Sequence, residues 1–282
     1  MQKIYSGKQL DILYAQAAQL DKLSAQDHIE RAAVAFEREL LRHYSLGGRS
    51  IYVFAGAGRC GAYALSIAQT LSRRGHTVFA YLFYRGGKLS PECEAVRERL
   101  PRDTFRLEEV FTDFAPPHIF SGDLIIDGLF GADLQTPLSG GYVALVDFLN
   151  AAPAPIVSIE IPSGLFAEDN SGNTLEHVIR AERTISFDSP KLAFFFREND
   201  PYVGAWSCLS LGISPQAQQD IDRHTITCRT LPSPWLFRSV LDSVLSSHVR
   251  KSYSWHACRG ILVRLCCLHE LFIVRAVVRS MP

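Results

Sequence analysis

The feature that most constrains the fold of this chain is the alternation of short, unbroken apolar runs with stretches of helical periodicity. Ile51-Tyr52-Val53-Phe54 leads into a helical stretch near 61–74. Val78-Phe79-Ala80-Tyr81-Leu82 leads into another near 90–99, after Ser90-Pro91, and Leu124-Ile125-Ile126 into a third near 141–150. Ile156 to Ile159 and Thr184 to Phe187 continue the series. Strands that show one face to water alternate apolar and polar residues; runs without alternation are buried on both faces, as parallel strands between helices are. The pattern predicts a Rossmann-like α/β fold, three-layer α/β/α, with a mainly parallel sheet. Two N-terminal helices precede it. Leu10, Leu13, Ala17 and Leu20 carry the first, and Ile29, Ala33, Phe36, Leu40 and Tyr44 the second, over roughly 25–45. The capping-box sequence Ser24-Ala25-Gln26-Asp27 opens that second helix and Gly47-Gly48 follows it.

Charge and cysteine content exclude several classes. Twenty-nine basic residues balance twenty-nine acidic ones, so no global field draws the protein to nucleic acid or anionic membrane, and any anion site must be local. The N-terminus lacks an apolar stretch of signal-peptide length, and nothing reaches ~18 uninterrupted apolar residues; the expectation is a soluble, cytoplasmic protein. Seven cysteines, at 60, 93, 208, 228, 258, 266 and 267, have neither disulfide-framework nor zinc-site spacing. They are expected to be reduced and mostly buried. His28, His43, His76, His118 and His177 show no metal-ligand spacing and read as surface or satisfied core residues.

Gly56-Ala57-Gly58-Arg59-Cys60-Gly61 follows the first apolar run and opens a helix. Glycines there let the backbone turn tightly and approach a pyrophosphate, whose charge the free N–H groups of the helix start attract. A nicotinamide dehydrogenase would also carry an acid about 20 residues on, at the end of the second strand, to hold a ribose hydroxyl. That end reads Leu82-Phe83-Tyr84-Arg85, with no acid. Arg85 would suit a 2′-phosphate instead; a tight turn with no ligand is the plain alternative.

Three more segments narrow the choice. Asp127-Gly128-Leu129-Phe130-Gly131-Ala132-Asp133-Leu134 follows one predicted strand, Glu160-Ile161-Pro162-Ser163-Gly164-Leu165 ends the next, and Thr184-Ile185-Ser186-Phe187 stands before Pro190-Lys191. In this order, behind two helices and a glycine loop, they resemble the NAD(P)H-hydrate epimerase (YjeF N-terminal) family over most of residues 1–215. Gly204 through Ile213 resembles that family's closing strand. The resemblance implies a repair isomerase that interconverts the R and S forms of NAD(P)H hydrate, acts as a homodimer, and supplies a companion ADP- or ATP-dependent dehydratase. It implies potassium as cofactor, held by Asp127, Ser163 and the glycine-loop position of Cys60. Substrate contacts are implied for Arg59, Cys60, Gly61, Ala62 and Tyr63, and for Gly131, Ala132, Asp133, Leu134, Gln135, Thr136 and Pro137. Glu160, where the family has an aspartate, is implied in both substrate binding and catalysis. Each residue also has a plainer reading. Asp127 could be a turn or helix-capping residue, Ser163 a capping hydroxyl, Glu160 a strand-end carboxylate paired with a cation, and Lys191 a solvated residue after a strand.

The chain departs from the family most in the glycine loop. Arg59, Cys60, Ala62, Tyr63 and Ala64 stand against Asn, Asn, Gly, Asp and Gly. A thiol is a poor ligand for a hard cation. These changes favour the second reading, a binding or scaffold module that keeps the fold without chemistry; relatives of the domain serve in mRNA-decapping and lipoprotein-associated proteins. Beyond the 1–215 domain, residues 216–250 read as a linker with a helical stretch over 241–249, and 251–282 as an atypical tail. There the composition shifts abruptly, as a frameshift or a truncated second domain would produce; an authentic apolar segment that packs on the domain or on a partner is the plain alternative.

Overall fold

The computed structural model of the chain describes residues 2–84, 87–101, 105–219, 221, 226–228, 255–258, 261–268 and 271–278. A short strand β1 (Gln2–Ile4) precedes two helices, α1 (Gly7–Leu20) and α2 (Ala25–His43). Both open on capping boxes: Ser6 accepts from Gln9 N–H, and Ser24 from Asp27 N–H. Then β2 (Ser50–Ala55), α3 (Arg59–Arg73), β3 (Thr77–Phe83), α4 (Pro91–Arg99), β4 (Leu107–Val110) and β5 (Leu124–Gly128) follow. The domain continues through α5 (Gly141–Ala151), β6 (Ile156–Ile159), β7 (Arg183–Phe187), α6 (Asp200–Val203), β8 (Ala205–Leu209) and α7 (Pro215–Gln219).

Seven strands form one sheet in the order β4-β3-β2-β5-β6-β7-β8, every neighbouring pair parallel. The period of two along β2 sorts its residues between two cores. Ile51, Val53 and Ala55 join α2, α3 and α4 on one face, while Tyr52 and Phe54 join α5 on the other. Burying Phe36 and Leu40 of α2 completely contributes on the order of 1.5–3 kcal/mol each. The three-layer architecture is the one predicted, and the sheet is parallel throughout.

Strand order reverses between β2 and β5, and at such a switch point the loops leaving the carboxyl ends of the two strands part to form a crevice. Two glycines of the loop after β2 are demanded by packing. A Cβ on Gly56 would lie 1.8 Å from Leu129 O, and one on Gly61 would lie 1.7 Å from Gly56 O. A Cβ on Gly58 would meet nothing within 4 Å. The loop is fixed from outside by Ser90, whose N–H donates to Ala57 O over 2.8 Å.

Several boundaries differ from expectation. The helix after the glycine loop begins at Arg59, two residues early, because the loop closes within Gly56–Gly58. The closing strand is Ala205–Leu209, so Leu211-Gly212-Ile213 lies beyond it. Strands β1 and β4, and those from residue 226 onward, had not been predicted. β4 is an edge strand reading Leu-Glu-Glu-Val, and β1 pairs antiparallel with β9 (Ile226–Cys228) from the far end of the chain. Ala217 and Ile221 pack with Leu10, Leu13 and Ala17 of α1. Strands β10 (Trp255–Cys258), β11 (Ile261–Leu268) and β12 (Leu271–Val278) form an antiparallel sheet. The helical stretch expected over 241–249, and Arg85, lie outside the described residues.

Candidate functional site

Asp127 is the penultimate residue of β5, at the switch point, and is fully buried. Both of its carboxylate oxygens are saturated by the chain itself. Ser163 Oγ donates to Oδ1 over 2.5 Å and Leu129 N–H over 3.3 Å; Ser158 Oγ donates to Oδ2 over 2.7 Å and Ser163 N–H over 2.9 Å. Burial raises the Asp127 carboxyl above its ordinary range, against the opposing pull of these hydrogen bonds. Ser163 in turn accepts from Phe130 N–H at 2.9 Å, so one carboxylate and one hydroxyl knit together the loops leaving β5 and β6.

Glu160 directly follows β6 and is 5% exposed. Its φ is 67°, in the left-handed region that a residue with a Cβ enters at a cost of order 1–3 kcal/mol. That backbone turns the side chain into the crevice. Oε1 lies 3.4 Å from Lys191 Nζ, and a Cβ on Gly131 would stand only 2.8 Å from Oε2. Cys60 Cβ and Asp133 Oδ1 crowd the same point, 3.2 and 3.3 Å from it. Gly131 is therefore the position that lets the carboxylate lie flat against the loop. The Cys60 thiol donates to Ile159 O at 3.6 Å, and burial together with the Glu160 charge pushes it well above the ordinary thiol range.

Lys191 corrects an expectation. It is 0% exposed rather than solvated, because β1 lies over its turn: Tyr5 N–H donates to Ser189 Oγ at 2.9 Å, and Ser189 Oγ donates to Lys3 O at 3.0 Å. Its ammonium meets Glu160 and donates to Ser189 O at 3.3 Å.

Beside this pair, between α1, α2 and the start of α3, lies a cavity of about 470 Å³ lined by Asp11, Tyr14, His28, Arg59, Tyr63 and Asp133 among others. Arg59 is ion-paired with Asp11, and its guanidinium lies 5.1 Å from the Tyr14 ring centroid. Burial works against the Arg59 charge, but Asp11, with Glu160 and Tyr63 beyond, outweighs it and strengthens the cation. The Tyr14 hydroxyl is buried and has no hydrogen-bond partner among the described residues. A buried hydroxyl left unpaired costs free energy.

Comparison with known proteins gives this arrangement a lineage. The family model described as YjeF-related protein N-terminus matches residues 25–193, more than half of the chain. The chain belongs to the YjeF N-terminal family. A protein of Limosilactobacillus fermentum named NAD(P)H-hydrate epimerase is 29% identical over 176 residues, covering 62% of this chain and 81% of its own length. A protein of Moorella thermoacetica named bifunctional NAD(P)H-hydrate repair enzyme Nnr is 26% identical over 234 residues, 77% of this chain but 44% of that one. The crystal structure of yeast ynu0, YNL200c, superposes with a TM-score of 0.61 at 18% identity, covering 78% of this chain and 93% of that one, a likeness of fold.

Within this YjeF-type site the structure brings some of the sequence-derived residues together and separates others. Arg59, Cys60, Ala132, Asp133 and Glu160 meet around a narrow cleft next to the cavity, Gly131 lies against Glu160, Cys60 and Asp133, and Tyr63 is among the residues around the cavity. Gly61 and Ala62 face the core of the fold. Leu134 packs towards the α5 face, while Gln135, Thr136 and Pro137 are exposed and line neither space. Asp11, Tyr14, His28 and Asp188 had not been singled out as site residues. They come from α1, α2 and the turn after β7, with no local pattern to announce them.

Proposed function

We propose that this chain is an NAD(P)H-hydrate epimerase, interconverting the R and S forms of hydrated NAD(P)H. The observation that carries the reading is Glu160: a buried carboxylate on a strained backbone, held by Lys191 through one oxygen, with its other oxygen in the cleft of a YjeF-type switch point. The names of the curated relatives support the same activity and do not favour a module without chemistry.

The hydrated ring carbon bears both a hydroxyl and the ring nitrogen. Inverting it requires that one of these bonds open and reclose on the other face, which positioned proton acceptors and donors accelerate. Glu160 would touch the substrate there, with Cys60, Gly131 and Asp133 shaping the cleft. Arg59 and the uncapped start of α3 would meet the pyrophosphate, the guanidinium turning from Asp11 to phosphate. Tyr63, Tyr14 and Asp133 would line the remainder of the ligand. Exposed Gln135, Thr136 and Pro137 would contact it only at its outer edge.

Potassium, implied by the family resemblance, does not fit this donor set. The Cys60 thiol stays protonated and soft, and the oxygens of Asp127 already accept four hydrogen bonds. Asp127 and Ser163 act as the brace that fixes the loops. No helix among the described residues is long and apolar enough to cross a membrane. A cytoplasmic homodimer supplying the S form to a separate dehydratase completes the reading, the dehydratase being suggested by the bifunctional names of several relatives.

The test is an epimerisation assay of the full chain on the R form, coupled to an S-specific dehydratase. The expected result is acceleration over the spontaneous rate; a folded protein giving the spontaneous rate alone would contradict the reading.

A further inference from the structure

The cleft beside Glu160 has a free volume of about 10 Å³, room for about one water molecule and none for a nicotinamide ring. Its roof is the first turn of α1. Gly7 and Leu10 line it opposite Cys60, Ala132 and Asp133, and a Cβ on Gly7 would stand 2.9 Å from Ala132 O. Asp11 and Tyr14 follow on one face of α1 and meet Arg59 together, the carboxylate through an ion pair and the ring with its centroid 5.1 Å from the guanidinium. Both members of the ion pair are open to solvent, Asp11 at 57% and Arg59 at 31% side-chain exposure, and both line the cavity. Leu10, Leu13 and Ala17 of α1 pack in a small core with Ile213, Ala217 and Ile221, to which no strand of the seven-stranded sheet contributes. The tie from α1 to the start of α3 is therefore made by Asp11 and Tyr14 on Arg59.

We propose that Asp11 is a specificity-determining residue of this site: it occupies Arg59, and with it keeps α1 over the cleft of Glu160, until a pyrophosphate takes the guanidinium. The proposal deepens the epimerase reading and rests on it for the identity of the substrate. The Asp11 carboxylate stands where an anion arriving at the uncapped start of α3 finds its cation. A diphosphate is the stronger partner, because it carries more charge than one carboxylate and offers the planar guanidinium two parallel hydrogen bonds. A ligand without phosphate has nothing with which to displace Asp11, and for it the cleft stays roofed. Binding of the pyrophosphate is thereby coupled to access for the nicotinamide end of the same molecule. No covalent bond forms or breaks in this step.

Asp11→Asn removes the competing charge at an exposed position and keeps the size of the side chain. In the full chain it is expected to lower the Kd for inorganic pyrophosphate, and the KM for NAD(P)H hydrate, by about twofold to fivefold, the range that a solvent-exposed ion pair supplies. Glu92→Gln removes a charge from the same cavity wall at a residue that, among the described residues, has no ion pair with Arg59, and it should change neither constant by as much as about twofold. Amide exchange reads the roof. With 14 residues α1 is marginal in water without its packing, so pyrophosphate should speed its exchange in wild type by a similar factor. Asp11→Asn should exchange at that faster rate before pyrophosphate is added. A pyrophosphate Kd that Asp11→Asn leaves unchanged or raises, an equal gain in Glu92→Gln, or exchange in α1 that bound pyrophosphate does not speed would each overturn the proposal. Neither readout needs turnover. If wild type gave only the spontaneous epimerisation rate while both came out as expected, the epimerase reading would fall and Asp11 would remain the gate of a diphosphate site.

Discussion

Asp127 and Glu160 stand at the ends of neighbouring strands, both nearly sealed from water, yet their surroundings treat them in opposite ways. Every lone pair that Asp127 turns inward meets a serine hydroxyl or a backbone N–H. Glu160 has a single cation on one oxygen, a strained backbone beneath it, and a cleft and cavity beside the other oxygen. A carboxylate whose hydrogen-bonding capacity is consumed by its own chain braces loops. One left incompletely satisfied next to open space is where substrate chemistry belongs. On the proposed reading, Asp127 is the brace of this site and Glu160 its reactive group.

Breaking the comparison begins at Glu160. Glu160→Gln should lower kcat by about 10²- to 10⁴-fold in protein whose circular dichroism is unchanged, whereas Glu160→Asp, which keeps the charge, should lose far less. Lys191→Met would leave a buried anion without its cation and should cost about 3–5 kcal/mol in denaturant unfolding. Combining it with Glu160→Gln should recover much of that loss, and purely additive costs would show that the two groups are not coupled. Arg59→Ala should raise KM about tenfold with little change in kcat if the guanidinium serves binding alone. The smallest effects concern Cys60 and the cation. Because burial and the neighbouring carboxylates raise its thiol well above the ordinary range, alkylation of native protein should leave Cys60 unmodified at pH 8, where an exposed thiol reacts readily. Replacing potassium with sodium should leave the rate unchanged; a large potassium activation would restore Asp127 to the role of ligand.

What could be read in advance follows the physics of each feature. The central strands announce themselves because burial on both faces demands unbroken apolar runs, as in Ile51 to Phe54 and Leu124 to Ile126. Edge strand β4 carries two glutamates and lacks such a run, so it left no comparable signal. Asp127 and Ser163 were legible from segment order, and their meeting follows from the parallel pairing of β5 with β6. The burial of Lys191 was not, because β1 covers its turn from 186 residues away, Lys3 O to Ser189. The hydrogen bonds that join Tyr63, His28 and Asp188 were hidden for the same reason. His28 and Asp188 are 160 residues apart, and only the packing of α2 across β7 joins them.

The most direct measurement is the saturated epimerisation rate of Glu160→Gln beside that of Asp127→Asn, each corrected for its folded fraction. The expected result is that Glu160→Gln loses at least a hundredfold while Asp127→Asn stays within about tenfold of wild type, the asparagine still accepting from Ser163. The reverse order would contradict the division between brace and reactive group.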